Sequence, residues 1–428
     1  MKKFLGLIAA AAMVAAGVAP AMAADVELSG EIKVKHEIKE NADLSNATGD
    51  GRNYTKQRTR LNAKAKVDDQ TTAFISLADV RYWGEDNTVI DTLTVPATHT
   101  TKNNPDGTGV HLNEGWLKVD NLLGPVGIKV GRQRLSFGKQ RLLGALEWTL
   151  EGNRWDALNF QHRSDMVDVD LFFAQLSDTS HTSTDGDDQL NGLYVTLKPV
   201  KGQKIDVYAI NKQTNTTYDS DLLTPLVYEG ANQDFMTYGL RSAGKAGLLD
   251  WDAEYATQDG WSNDSGAVQS KQDASAWAIG LGASPTKMIR IGAQAWKADG
   301  DKGNTVNNEA FNGLYPTNHF KYGIADYAGS NWSNRQGYGF DVTAKPVKGL
   351  KIKAEYVILE AEEDFATGGN DVGHEYNLQV FVSLTEKVKL YVYGAWFNAD
   401  YDYRSSLVAP LLNDERYEYY GVTIDAKF

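Results

Sequence analysis

A period of two, recurring segment after segment from Val26 to Phe428, restricts this chain more than any other feature. Val26, Leu28, Ile32, Val34 and Ile38 alternate with Glu27, Glu31, Lys33, Lys35 and Glu37. The same alternation returns at Val167–Phe173, Leu249–Tyr255 and Tyr376–Leu384. Successive side chains on a strand point to opposite sides, so each segment is a strand with one apolar and one wet face.

The joints between segments sort into two kinds. Short ones carry turn residues: Val67–Gln70, Leu123–Pro125, Arg163–Asp165, Pro199–Gly202, Gly244–Gly247, Ser284–Lys287, Pro346–Gly349 and Thr385–Lys387. Long polar joints alternate with them: Gly84–Gly109, Ser177–Gln189, Thr214–Asp234, Gly260–Asp273, Gly300–Arg335, Ala361–Gly373 and Asp400–Asp414. With every short joint on one side, the strands must run up and down between two different environments. The pattern predicts an all-β fold, a transmembrane antiparallel up-and-down β-barrel of about 18 strands. An even count lets the last strand pair with the first and leaves no open edge to lipid. A soluble β-sandwich is the rival reading, but a sandwich of this length divides into domains, and no linker is visible.

The last ten residues, YYGVTIDAKF, are themselves such a strand. Tyr420, Val422, Ile424 and Ala426 share a face with Phe428, and the aromatic end resembles the assembly signal of bacterial outer-membrane barrels. At the other end, Lys2 and Lys3 precede an apolar run from Phe4 to Ala19, and Ala21-Met22-Ala23 follows. That pattern predicts a signal peptide over residues 1–23, with the barrel over 24–428. Cysteine is absent, while 21 Tyr and 10 Trp suit a membrane boundary. The net charge is −13, or −15 without Lys2 and Lys3, which argues against nucleic acid as a partner.

The inward face should carry the function. In "YTKQRTRLNAKAKV", Lys56, Arg58, Arg60, Lys64 and Lys66 fall on one side. A cation at mid-depth facing lipid costs about 2–4 kcal/mol, so this side is assigned to the lumen, with Lys56, Arg58, Arg60 and Lys64 lining the pore. Arg163, Arg241 and Arg290 join them as inward cations, as do Lys129, Lys204, Lys351, Lys353 and Lys389. Asp168, Asp170, Asp250, Asp252 and Glu254 form an opposing acidic wall. Rows of opposite charge set up a transverse field that sorts solutes by charge.

The stretch from Gly131 to Leu158 breaks the grammar. If the alternation of Val126, Ile128 and Val130 continued, Arg132 and Arg134 would face lipid, which calls for a bulge or for escape above the bilayer. Its wording is Gly131-Arg132-Gln133, then Phe137-Gly138-Lys139-Gln140-Arg141-Leu142-Leu143-Gly144, Trp148, and Asn153-Arg154-Trp155-Asp156-Ala157. From Val126 to Leu176 this resembles the signature region of the alginate export porin family. The resemblance implies an outer-membrane barrel that passes an anionic polysaccharide. It also implies anion contacts at Arg132, Arg141 and Arg154, with Asp156 as a salt-bridge partner, in a compact segment at the outer end of its strands.

The seven histidines lack any metal-binding spacing, and no nucleophile elbow or P-loop occurs. The sequence therefore predicts no enzyme, no cofactor and no metal site; the acidic run Asp185–Asp188 reads as a solvated loop. The expected function is passive diffusion of hydrophilic, anion-biased, small or linear solutes across a Gram-negative outer membrane. Gly300–Arg335 and Gly84–Gly109 are the loops expected to narrow the pore. Membrane lipid, lipopolysaccharide and the barrel-assembly machinery are the expected partners. The alternative is a structural or adhesive barrel with a plugged lumen, whose outer loops bind a partner.

Overall fold

A computed structural model describes residues 25–42, 44, 51–84, 109–177, 188–214, 233–263, 269–303, 307–327, 332–407 and 416–428. The wall opens with β1 (Asp25–Glu40), β2 (Arg52–Lys66), β3 (Thr71–Tyr82), β4 (Val110–Leu123), β5 (Val126–Gln133) and β6 (Trp155–Arg163). It continues through β7 (Val167–Ser177), β8 (Asp188–Leu197), β9 (Gln203–Thr214), β10 (Gln233–Ala246), β11 (Leu249–Asn263) and β12 (Gln269–Ala283). After β13 (Ile289–Ala298) comes a two-residue strand, β14 (Asn307–Asn308), which pairs in parallel with β12 and is not part of the wall. The ring is completed by β15 (Arg335–Ala344), β16 (Leu350–Glu360), β17 (Asp371–Ser383), β18 (Val388–Ala399) and β19 (Arg416–Lys427). A short helix, α1 (Tyr401–Ser406), follows β18.

Without β14 the wall has eighteen strands, and each pairs antiparallel with its neighbours. Closure is made by β19 against β1, from Glu31↔Lys427 to Glu40↔Glu418. The Gly30 N–H donates to the Phe428 carbonyl at 2.8 Å, and the Phe428 N–H donates back to Gly30 O at 3.1 Å. Phe428 thus seals the seam, with its ring lying over Gly30. The expected closed barrel is the observed one.

Turn chemistry sits where the short joints were read. Asp68 Oδ1 accepts from the N–H groups of Gln70 and Thr71, and Thr286 and Thr385 make the equivalent hydroxyl caps. The near-repeated Pro-Val-Lys-Gly turns end on Gly202 and Gly349, both left-handed at φ 86° and 85°. One long joint is shorter than read: β11 and β12 run to Asn263 and from Gln269.

Ile75, Leu117, Leu171, Leu193, Leu240, Leu281, Phe340 and Ile424 stand exposed on the outer face, an apolar belt for hydrocarbon. Inside, glycines make room for rings on the paired strand. Gly239 lies opposite Tyr208, Gly192 opposite Phe172, and Gly421 opposite Tyr393, and in each pair the ring covers the space a Cβ would need. Gly421→Val should cost about 1–3 kcal/mol through overpacking. The check is the temperature at which the folded barrel loses its compact gel mobility; an unchanged midpoint would mean that Tyr393 moves aside freely.

Candidate functional site

The joint between β5 and β6, residues 134–154, turns into the barrel rather than out of it. Arg58 of β2 holds it on one side. Its Nη1 donates to Leu150 O at 2.7 Å and lies 2.9 Å from Glu147, while its Nε donates to Glu31 at 2.8 Å. Lys35 of β1 donates to Trp148 O at 3.2 Å and caps the Trp148 ring at 3.7 Å from its centroid. On the far side, Arg141 of the loop donates to Asp252 and Glu254 of β11, both at 2.7 Å. Nine strand steps separate β2 from β11 in a ring of eighteen, so the loop crosses the lumen from wall to wall.

A second loop, between β13 and β15, comes in to meet it. Wall side chains hold its backbone: Gln258 Nε2 donates to Asn312 O (2.7 Å), Gln272 Nε2 to Ala310 O (2.8 Å) and Gln294 Nε2 to Lys321 O (2.6 Å). The Glu375 carboxylate of β17 accepts from the N–H groups of Ile324 and Ala325 at 2.6 and 2.9 Å. Small residues leave space for it: Ala274, Ala276 and Ala278, the inward positions of β12, are all buried.

The loops join by backbone. Leu143 and Tyr315 form a parallel bridge, in which Gly144 N donates to Tyr315 O and Tyr315 N to Leu142 O, each at 2.9 Å. Thr317 N donates to Gln140 O at 2.9 Å, and the Trp148 ring stacks on His319 at 3.7 Å. Inward side chains from strand after strand are buried against this two-loop body, which is the constriction of the barrel. Among its described residues Gly300–Arg335 therefore turns inward, as expected, whereas Gly84–Gly109 lies almost wholly outside the described residues.

Four guanidinium groups surround Glu147. Arg58 lies at 2.9 Å, Arg60 at 3.2 Å, Arg154 at 2.6 Å and Arg134 at 3.6 Å. Burial alone would raise the Glu147 carboxyl, but the four cations outweigh it and hold the group well below the usual carboxylate range. Glu31 and Glu114 complete the knot.

The alternation placed Arg58 and Arg60 correctly on the inner face, but only 1% and 5% of their surface is open. They hold the loop rather than line a free path. Arg141 and Arg154 are likewise buried, at 2% and 3%. Residues 134–154 leave the ends of β5 and β6 opposite the short turns and fold into the lumen, a course that the expected position at the outer end of the strands did not include.

Arg132 is a second correction. Pairing of β5 with β6 is continuous from Val126↔His162 to Gln133↔Trp155, so no bulge re-aims it. Arg132 shares the outer face with Val130 and pairs with Asp156 at 2.9 Å, away from the lumen. The implied Asp156 bridge exists, on the other side of the wall.

Of the remaining expected residues, Lys56 pairs loosely with Glu151 at 3.8 Å, and Lys64 is exposed. Arg163 pairs with Asp170 at 2.7 Å, Asp168 with Lys198 at 2.8 Å, and Arg290 bridges Asp250 and Asp341. Arg241 holds Asp206 at 2.7 Å and also reaches Asp252. The acidic wall is thus neutralised pair by pair. Gln258, Gln272, Glu375 and Lys321 went unread as site residues; the run of Ala and Gly at alternate positions of "QDASAWAIGLGA" was the available signal that something packs there. Of the acidic run, Asp185–Asp187 lies outside the described residues.

A family model described as "Alginate export" matches residues 25–400. The chain belongs to the alginate export family. This membership agrees with the resemblance carried by Gly131–Ala157. Solved structures share the alginate-export barrel's fold at low identity. OccAB4 of Acinetobacter baumannii has a TM-score of 0.60 at 13% identity, with 96% of this chain and 100% of that one covered. OccAB1 of the same organism gives 0.62 at 11%, covering 94% and 96%. The outer-membrane protein OprD from Pseudomonas aeruginosa gives 0.59 at 10%, covering 95% and 94%. No curated protein matches the chain in sequence. Family and fold make this an outer-membrane channel of a Gram-negative cell, set in lipid and open to small hydrophilic solutes.

Proposed function

We propose that this alginate-export channel passes anionic solutes in preference to cations, by passive diffusion past the two-loop constriction and with no catalytic step. The carrying observation is where unpaired charge remains. Most lumen acids are engaged by a cation, as above, or accept backbone N–H groups, as Glu375 does. Five inward lysines, Lys64, Lys129, Lys204, Lys351 and Lys389, have no acid within ion-pair distance among the described residues. Lys129 and Lys351 instead cap the rings of Trp116 and Phe381, at 4.2 and 3.6 Å from the centroids. Free ammonium groups beside aromatic faces suit a solute with a carboxylate and an apolar ring face. Residues 1–23 are removed on export in this reading, and the Phe428 strand addresses the chain to the barrel-assembly machinery. The outer rim meets lipopolysaccharide.

Planar-bilayer recording under a salt gradient tests the preference. Wild type should show an anion-selective reversal potential, and Lys351→Gln/Lys389→Gln should move it toward zero. A cation-selective current would overturn the reading. The extent of burial around the loops favours a second reading, the plugged barrel with a partner-binding exterior, and a silent bilayer would select it.

A further inference from the structure

The short turns carry a charge pattern that solute passage does not use. Five of them follow one another around the rim, at residues 198–202, 245–248, 284–288, 345–349 and 384–387. They hold six exposed lysines, Lys201, Lys245, Lys287, Lys345, Lys348 and Lys387, against one acid, Glu386. None of the six has an acid within ion-pair distance among the described residues, whereas Lys198, half-buried in the first of these turns, is held by Asp168. The rest of the rim is acidic. Asp68, Asp69, Asp120 and Asp165 stand at the other three turns, where Lys66, Lys118 and Arg163 are each paired with an acid.

Each of the five turns also exposes an apolar side chain: Val200, Leu248, Met288, Val347 and Leu384. The near-repeated Pro-Val-Lys-Gly turns do so in the same way, with Val200 and Val347 54% and 62% exposed directly before Lys201 and Lys348. The outer apolar belt runs into these turns. Leu197 and Leu249, which share the outer face with Leu193 and Tyr255, directly abut the first and second of them. Strand spacing sets successive short turns about 10 Å apart, so the lysines form one continuous arc. An apolar tip beside an unpaired ammonium, where lipid-facing strands end, fits a headgroup layer: the tip seats at the acyl boundary and the ammonium reaches phosphate. Short turns of such a barrel face the periplasm, and the leaflet on that side is built of phospholipid.

We propose that this basic arc binds the headgroups of anionic phospholipids in the periplasmic leaflet and gathers them around β8–β18 in preference to zwitterionic ones. The acidic turns beside β2–β7 repel the same headgroups, so the anionic shell is one-sided. A zwitterionic headgroup brings its own cation to the lysines and gains less from them. An acidic protein segment would satisfy the ammonium groups but leave the apolar tips at the edge of the hydrocarbon without a role. Lipid binding at the rim does not depend on which solute the lumen passes.

Electron paramagnetic resonance tests it, on the purified protein reconstituted in phosphatidylcholine bilayers that carry a trace of spin-labelled phosphatidylglycerol or spin-labelled phosphatidylcholine. Wild type should immobilise the phosphatidylglycerol label about threefold more strongly than the phosphatidylcholine label. That excess should vanish in about 1 M NaCl, where the Debye length shrinks to about 3 Å. Lys201→Gln/Lys287→Gln/Lys348→Gln, three exposed turn positions, should lose at least about half of the excess. Lys351→Gln/Lys389→Gln, on the lumen side, should keep it. Compact mobility on unheated gels verifies that each variant is folded. Equal immobilisation of the two labels by wild type overturns the proposal and leaves the arc to an acidic periplasmic protein. An undiminished excess in the folded triple variant overturns it as well, since the anionic lipid then binds elsewhere on the barrel.

Discussion

Arg58→Ala is expected to free the first infolded loop and raise single-channel conductance several-fold, with rapid flicker between levels. The substitution leaves the Glu31 carboxylate buried without its guanidinium and removes the bond to Leu150 O. Breaking a buried pair from one side costs about 3–5 kcal/mol, here borne by the docked state of the loop. A shift of that size changes the docked-to-free ratio by about 10²–10⁴-fold, enough to turn a docked loop into a fluctuating one. Lys56→Ala is the control, since its pair with Glu151 is long, at 3.8 Å, and only partly covered, and is worth about 0–1 kcal/mol. Conductance equal to wild type in Arg58→Ala would mean that Arg60, Arg134 and Arg154 hold Glu147 without help.

Glu375→Ala should release the second loop. The N–H groups of Ile324 and Ala325 lose their acceptor inside the barrel, at about 1–3 kcal/mol for each orphaned donor. Limited proteolysis provides the measurement, with new cuts expected between residues 309 and 327 on the intact barrel. Glu375→Gln keeps a carbonyl oxygen in place and should stay close to wild type. Equal resistance in all three proteins would transfer the anchoring to Gln258, Gln272 and Gln294.

The wall was legible because a barrel strand states its facing in every second residue. Lys56, Arg58 and Arg60 were put on the inner side from alternation alone, and the register of β2 against β1, Arg58↔Lys33 and Arg60↔Glu31, agrees. Depth and partnership were not legible. Nothing in "YTKQRTRLNAKAKV" announces that Arg58 will meet Glu147 and Leu150, about ninety residues further along the chain. Arg132 differs for another reason: the alternation calls for a bulge or for escape above the bilayer, and no bulge occurs, because the regular strand continues through Arg132, which pairs on the outer face with the cross-strand acid Asp156. Family membership was legible in the loop wording, although the loop's inward course was not. An inward run of Ala and Gly on β12 is an instruction about what it must accommodate, and it can be understood only once the accommodated loop is known.

The bridge between Leu143 and Tyr315 joins residues 172 apart in sequence, and the hydrogen bonds that frame it reach to β2, β11, β12, β13 and β17. Those anchors come together only when distant hairpins have been ranged around one axis, so the filling of the lumen has to follow the building of its container. Contacts of such wide separation repay their loop-closure entropy late. Their anchors are individually modest, so they also open before the ladders around them. The barrel should therefore have two melting thresholds: a low one at which its interior loosens while the cylinder stands, and a high one at which the cylinder itself comes apart.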